Sequence, residues 1–228
     1  MNVTHLRKAD GLHPIAPPRS LPLSLVEQVH GHAVFGRRAR VLADSLAARI
    51  QPGASVLDIG CGDGTIALLL LNRVPEASVK GIELAPRPNC KIECAAFDGS
   101  TIPHPTASFD ICMFVDVLHH LPDWSAIQAL VSEASRVSRR FLLIKDHLAE
   151  NRLDFKTLQF MDWVGNRAHG VVLPYSYQRR AWWNQCFAST GLVVRDWQDR
   201  IPLYPFPFSG VFGRKLHFIA LLEKYGSR

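Results

Sequence analysis

The chain has 228 residues, 47% hydrophobic and 20% charged, which suits one globular domain with a sizeable core. Its formal net charge of +6 is uneven, at +4 over residues 1–50, −4 over 51–150 and +6 over 151–228. No run of about 18 apolar residues offers a membrane span, and the charged N-terminus lacks the apolar core of a secretory signal, so a cytoplasmic location is expected.

Residues 1–22 are rich in proline and lack sustained periodicity, so they read as an extended arm ahead of a single domain over 23–228. From Leu23 to Ile50, apolar residues recur near helical spacing (Leu25, Val26, Val29, then Val41, Leu42, Leu46), predicting one or two helices as an N-terminal cap. His30 and His32 fall within that cap. After Pro52-Gly53, Ser55 to Ile59 reads as a short buried strand, and Thr65 to Arg73 as a helix. Between them stands Asp58-Ile59-Gly60-Cys61-Gly62-Asp63-Gly64-Thr65. Such a glycine turn lets a ligand approach the backbone and meet N–H groups at the start of a helix. The spacing departs from the dinucleotide fingerprint, because Thr65 stands where its third glycine belongs. No Gly-Lys-Ser/Thr follows, which excludes a phosphate-binding P-loop.

Asp58, Gly60, Gly62 and Gly64 instead resemble the nucleotide loop of the class I S-adenosylmethionine-dependent methyltransferases. The resemblance extends over roughly residues 25–224 and is most specific between 56 and 123. It implies a Rossmann-like α/β three-layer sandwich, with a central seven-stranded, mostly parallel sheet and an antiparallel C-terminal strand. Its cofactor would be S-adenosyl-L-methionine, leaving as S-adenosyl-L-homocysteine, and the acidic middle of the chain suits that positively charged sulfonium. Cys61 lies within the loop and shares its expected role.

Ser78 to Glu83 reads as the second strand, ending in an acid about 20 residues beyond the loop, where a ribose-binding carboxylate is expected. Leu84 follows it. Lys91 to Ala96 reads as a third strand. By resemblance, Asp98 receives the adenine amino group while Phe97 packs on the purine. Phe109 to Val115 is a buried fourth strand running into Asp116-Val117-Leu118-His119-His120-Leu121-Pro122-Asp123, an ending similar to that of small-molecule ("type 11"-like) members. Asp116 at this edge could contact the methionine portion of the cofactor or meet the substrate. Of His119 and His120, at most one is expected to face the pocket; a hydrogen bond to the loop backbone is the alternative role for each.

Trp124 to Val137 reads as a helix capped by Asp123, and Phe141 to Lys145 as a fifth strand. Lys145-Asp146-His147 then fall at the sheet's carboxyl edge. His147 could act as a base with Asp146 orienting it, or Lys145 and Asp146 could form a loop ion pair. Together with His120, His147 is the candidate for proton chemistry. Residues 148–177 read as an insertion on the substrate side, with a helix around Leu153 to Trp163 that breaks at Gly165. Asp162, Asn166, Tyr175 and Tyr177, with Trp163 and His169, could line an acceptor pocket. Gln178 to Thr190 reads as a helix with Trp182, Trp183 and Phe187 on its apolar face and Gly191 as its cap. Leu192 to Trp197 and Lys215 to Leu222 supply the last strands.

The five cysteines form no disulfide framework. Cys90 and Cys94 are near neighbours, but no second pair or histidine cluster completes a zinc site, so reduced thiols and no metal are expected. The implied reaction is methyl transfer to an O, N or C nucleophile of a small molecule, with an anionic acceptor suggested by the basic flanks. Two alternatives stand beside it: methylation of RNA or protein docked on those flanks, and a non-catalytic domain that only binds the cofactor. Asp116-Val117-Leu118-His119 stands where many nucleic-acid and protein amino methyltransferases carry Asn/Asp-Pro-Pro-Tyr, which weighs against the first.

Overall fold

The computed structural model describes residues 35–166, 174–206 and 208–226. The arm 1–22, the first part of the cap with His30 and His32, His169 and the Asn166 side chain lie outside the described residues. The strands are β1 (Ser55–Ile59), β2 (Ser78–Glu83), β3 (Cys94–Ala96), β4 (Phe109–Val115), β5 (Ser138–His147), β6 (Leu192–Gln198) and β7 (His217–Lys224). They form one seven-stranded sheet in the order β3-β2-β1-β4-β5-β7-β6. The pairs from β3 to β5 are parallel, whereas β7 runs antiparallel to both β5 and β6.

Alternation along the strands sends side chains to two separate apolar layers. On β4, Cys112 and Phe114 point to one face, where they meet Ile127, Leu130, Val131 and Ala134 of α3 (Trp124–Val137) and Trp183 and Phe187 of α5 (Arg180–Ser189). Ile111 and Met113 point to the other, against Leu42 and Leu46 of α1 (Phe35–Ala47) and Leu70 of α2 (Thr65–Leu71). Apolar residues at helical spacing on α1 (Leu42, Ala43, Leu46) are all buried, which is why this stretch forms a helix and not a loop. A fourth long helix, α4 (Arg152–Asn166), lies between β5 and α5 in sequence, and a short α6 (Ser209–Phe212) precedes β7.

Several strand boundaries differ from the sequence expectation, with β7 shifted two residues onward to His217–Lys224 and β6 one residue longer. β3 is confined to Cys94–Ala96 at the half-open sheet edge, although Gly81 N–H still donates to Glu93 O at 2.8 Å. β5 is longer at both ends, reaching Ser138–His147. Arg139 and Arg140 fit in it because their guanidinium groups reach Asp110 and Glu223, and Asp146 and His147 fit because β7 pairs with them through Phe218 and His217. Helix α2 stops at Leu71, short of the expected Arg73, and Asn72 closes it with a bond to Leu68 O.

Candidate active site

Where β1 gives way to α2, Gly60, Gly62 and Gly64 all adopt left-handed backbone, at φ of 76°, 58° and 73°. A Cβ on Gly60 would sit 2.6 Å from Val117 Cγ2, so the glycine lets the loop after β4 close against the loop after β1. Around Gly62 nothing lies within 4 Å of the same position, which leaves open space beside its backbone. Asp63 caps the helix itself: its carboxylate accepts from Thr65 N–H at 3.0 Å and pairs with Lys91 Nζ at 2.9 Å. The first helical N–H is therefore already occupied by a side chain.

Beneath the loop, the Asp58 side chain is 2% exposed, and its Oδ1 has no hydrogen-bond partner among the described residues. Burial, and then the neighbouring charge of Glu83, push its carboxyl up from 3.8 to about 7. At the end of β2, Glu83 accepts from Gly62 N–H through Oε2 and from Leu84 N–H through Oε1, each at 2.9 Å. These bonds fix the carboxylate against the glycine loop while leaving it acceptor capacity for further donors. Leu84 is exposed, and Phe97 is half-buried against the apolar core. Asp98 lies on the surface, where its Oδ1 closes its own turn through Ser100 N–H at 2.8 Å and Thr101 N–H at 2.7 Å. The thiol of Cys61 points over Gly81 toward Cys94, so only its backbone belongs to the loop.

A second polar assembly fills the carboxyl edge of β4 and β5. Asp116 has left-handed backbone at φ 59°, an unfavourable geometry for a residue with a side chain. It is held by Arg38 of α1 at 2.7 Å and by Lys145, whose ammonium is wholly buried. Burial alone would raise the Asp116 carboxyl, but Lys145 and Arg38 hold it well below the carboxylate range. Asp146 faces the other way: it accepts from Leu118 N–H at 2.9 Å and bonds His119 Nδ1 at 2.7 Å. His119 Nε2 lies 3.5 Å from Asp162, to which Tyr177 Oη also donates. Although burial works against the charge on His119, Asp146 and Asp162 outweigh it and raise its pKa. His147 Nδ1 rests 2.9 Å from His119 Nδ1, and burial followed by His119 lowers its pKa. His120 is pushed down to about 4 by burial and by His119, and its Nδ1 has no partner among the described residues. The histidine turn adjoins the glycine loop directly, since His120 N–H donates to the carbonyl of Val117, the residue that packs on Gly60.

A methyltransferase domain family matches residues 30–196 of the chain. The chain belongs to that methyltransferase family. Among curated proteins, the 27-O-demethylrifamycin SV methyltransferase of Amycolatopsis mediterranei is 31% identical over 114 residues, covering 43% of this chain and 40% of that protein. The chain thus aligns with less than half the length of that relative. Two examples stand for the solved structures that share its fold. The 1,6-didemethyltoxoflavin-N1-methyltransferase of Burkholderia thailandensis, with 1,6-didemethyltoxoflavin and S-adenosylhomocysteine bound, gives a TM-score of 0.60 at 17% identity over 93% of this chain and 94% of that one. The magnesium protoporphyrin IX methyltransferase of Synechocystis PCC 6803, with S-adenosylhomocysteine bound, gives 0.55 at 15% identity over 88% and 99%.

The geometry of this site revises several sequence expectations. Lys145 and Asp146 form no loop ion pair with each other; they lie in a strand and serve opposite partners, Asp116 and His119. Asp146 orients the ring of His119, whereas His147 meets it through the backbone N–H at 2.7 Å. His147 is 2% exposed, so it supports the cluster from inside and does not present a face to solvent. His119 bonds a side chain and not the loop backbone. Nothing local in the sequence marks Arg38 out from the other arginines of its helix, because its partner, Asp116, lies just after β4. Asp162 and Tyr177 join the histidine cluster, while Tyr175, at φ 58°, has its ring centroid 6.1 Å from that of Tyr177 with the planes tilted by 49°. Beside Tyr177 opens a groove of about 470 Å³, bordered by Arg152, Phe155, Arg179 and Trp182.

Proposed function

We propose that the protein transfers the methyl group of S-adenosyl-L-methionine to an O, N or C nucleophile of a small-molecule acceptor. The observation that carries this reading is Asp58, a buried carboxylate without a partner for Oδ1, set beside Glu83 under a loop that is open at Gly62. An unpaired buried acid next to a second acid is costly, and a ligand bearing ammonium and sulfonium charge relieves that cost. Asp58, the backbone of Gly60 to Gly64 and Glu83 fit the amino-acid and ribose parts of such a ligand, with Leu84, Phe97 and Asp98 toward its base. Bound S-adenosylmethionine supplies an electrophilic methyl group on positively charged sulfur.

The chain's contribution is alignment and exclusion of water. Asp116, pinned by Arg38 and Lys145, locks α1 to the end of β4 and so fixes one wall of the site. His120, whose pKa burial and His119 push down to about 4, keeps a neutral ring beside the loop as the candidate for proton chemistry on the nucleophile, with its Nδ1 enclosed and unpartnered among the described residues. The His119–Asp146 pair holds the turn that carries it. Tyr175, Tyr177 and Asp162 supply ring faces and polar tips for the acceptor, and Arg152 and Arg179 on the adjoining groove favour one carrying negative charge.

The basic C-terminal part supports nucleic-acid docking less than its charge suggests. Arg180 and Lys215 pair with Asp199, Arg195 with Glu223 and Arg214 with Asp154. No helix among the described residues is long and apolar enough to cross a membrane. The test is calorimetric titration with S-adenosylmethionine, followed by incubation with methyl-labelled cofactor and a metabolite extract. The proposal expects binding and label on a small molecule. Label appearing on RNA or protein instead, or no turnover with any fraction, would contradict it.

A further inference from the structure

Cys61 lies 33 residues before Cys94, with Cys90 close to the latter in sequence, yet the three sulfur atoms all lie within 4.8 Å of one another. Cys61 reaches across from the glycine loop and its Sγ sits 3.4 Å from that of Cys94 on β3. Room for this has been made in the backbone. A Cβ on Gly81 would lie 2.5 Å from Cys61 Sγ, and one on Gly64 would lie 3.2 Å from Cys90 Sγ. All three thiols are free and partly accessible, unlike Cys112 and Cys186, which are buried elsewhere.

The spacing matches a tetrahedral thiolate site. With Zn–S bonds of about 2.3 Å, the sulfur–sulfur edge of a tetrahedron is about 3.8 Å, inside the range the three atoms already span. A disulfide would need Cys61 and Cys94 to close to about 2.05 Å and would leave Cys90 without a role. Three soft donors converging on one point select a thiophilic ion.

We propose that Cys61, Cys90 and Cys94 form a Zn²⁺ site that ties the glycine loop to the turn before β3 and to β3 itself. Each thiol that ligates releases its proton to solvent as the ion binds; before that, burial keeps the Cys61 and Cys94 thiols protonated. Three protein ligands leave the fourth position to water. The ion sits on the outer flank of the loop, over Gly81, and its part is structural: it stiffens the segment whose other side carries Gly62.

The test uses the full chain, stripped with chelator under reductant and titrated with Zn²⁺ against a chromophoric competitor. One ion per chain is expected, held about 100-fold or more weakly in Cys90→Ser and with wild-type strength in Cys186→Ser. Loading with Co²⁺ should give a thiolate charge-transfer band that Cys90→Ser and Cys94→Ser each abolish, with circular dichroism confirming that both variants are folded. Absence of binding in the wild type would overturn the proposal. So would an ion retained by the folded Cys90→Ser/Cys94→Ser double variant, which would place it at one of the two other close-set groups of donors, Asp116, His147 and His217 or His119, His147 and Asp162.

Discussion

Replacing Asp58 by Asn should stabilise the protein above about pH 7, but not at pH 5, while weakening its grip on the nucleotide. The Asp58 carboxyl is raised from 3.8 to about 7 in the fold. Well below its ordinary value of 3.8 it is protonated folded or unfolded and contributes nothing. As pH climbs toward 7, the unfolded chain ionises it and the folded chain does not, so the fold loses stability across that window. At about 1.4 kcal/mol for each pH unit between the two values, the loss reaches about 4 kcal/mol by pH 7. Asn escapes this loss but leaves an amide under-bonded in the same place, at about 1–3 kcal/mol. The variant should therefore match or fall below the wild type at pH 5 and exceed it at pH 8, with the gap shifting by about 2–3 kcal/mol between them. Chemical denaturation at the two pH values measures this directly. Calorimetry on the same samples should show S-adenosylmethionine binding weakened about tenfold or more. Wild-type affinity should itself rise from pH 6 to 8, as Asp58 becomes ionised. A stability gap indifferent to pH, together with unchanged affinity, would refute the reasoning.

The other predictions concern separate parts of the molecule. Glu83→Gln should lower S-adenosylhomocysteine affinity about tenfold or more by removing a charged acceptor; equal affinity in calorimetry would remove the ribose role. His120→Ala should cut kcat about 100-fold with little change in cofactor affinity, and a variant with wild-type turnover would show that acceptor alignment alone suffices. Asp146→Asn should lower the pKa of His119, seen by NMR titration of the ring, because the largest favourable charge on it is lost. Phe114→Ala removes a fully buried ring between β4 and α3 and should cost about 3–5 kcal/mol in denaturant unfolding.

What the sequence disclosed was local. Strands β1, β2 and β4 follow from short apolar runs bounded by breakers, and the glycine loop from its own spacing. Asp123 is legible as a cap because the bond it makes, to Ala126 N–H at 2.9 Å, spans three residues. The pairings that build the site are of another kind. Arg38 meets Asp116, Cys61 meets Cys94, and Asp146 turns to His119 only because the order β3-β2-β1-β4-β5-β7-β6 brings their strand ends together. No local period encodes a register between strands, so Asp146 and His147 read as loop until β7 is seen to cover them. The same blindness hid the third cysteine, since the spacing of Cys90 and Cys94 says nothing of what lies across Gly81.

The account stands or falls on where the nucleotide sits. A crystal structure of the full chain with S-adenosylhomocysteine should show its ribose hydroxyls on Glu83 and its amino-acid end at the backbone of Gly60 to Gly64, near Asp58. The nucleotide found anywhere else, or Glu83 and the loop found without contact to it, would contradict the central claim.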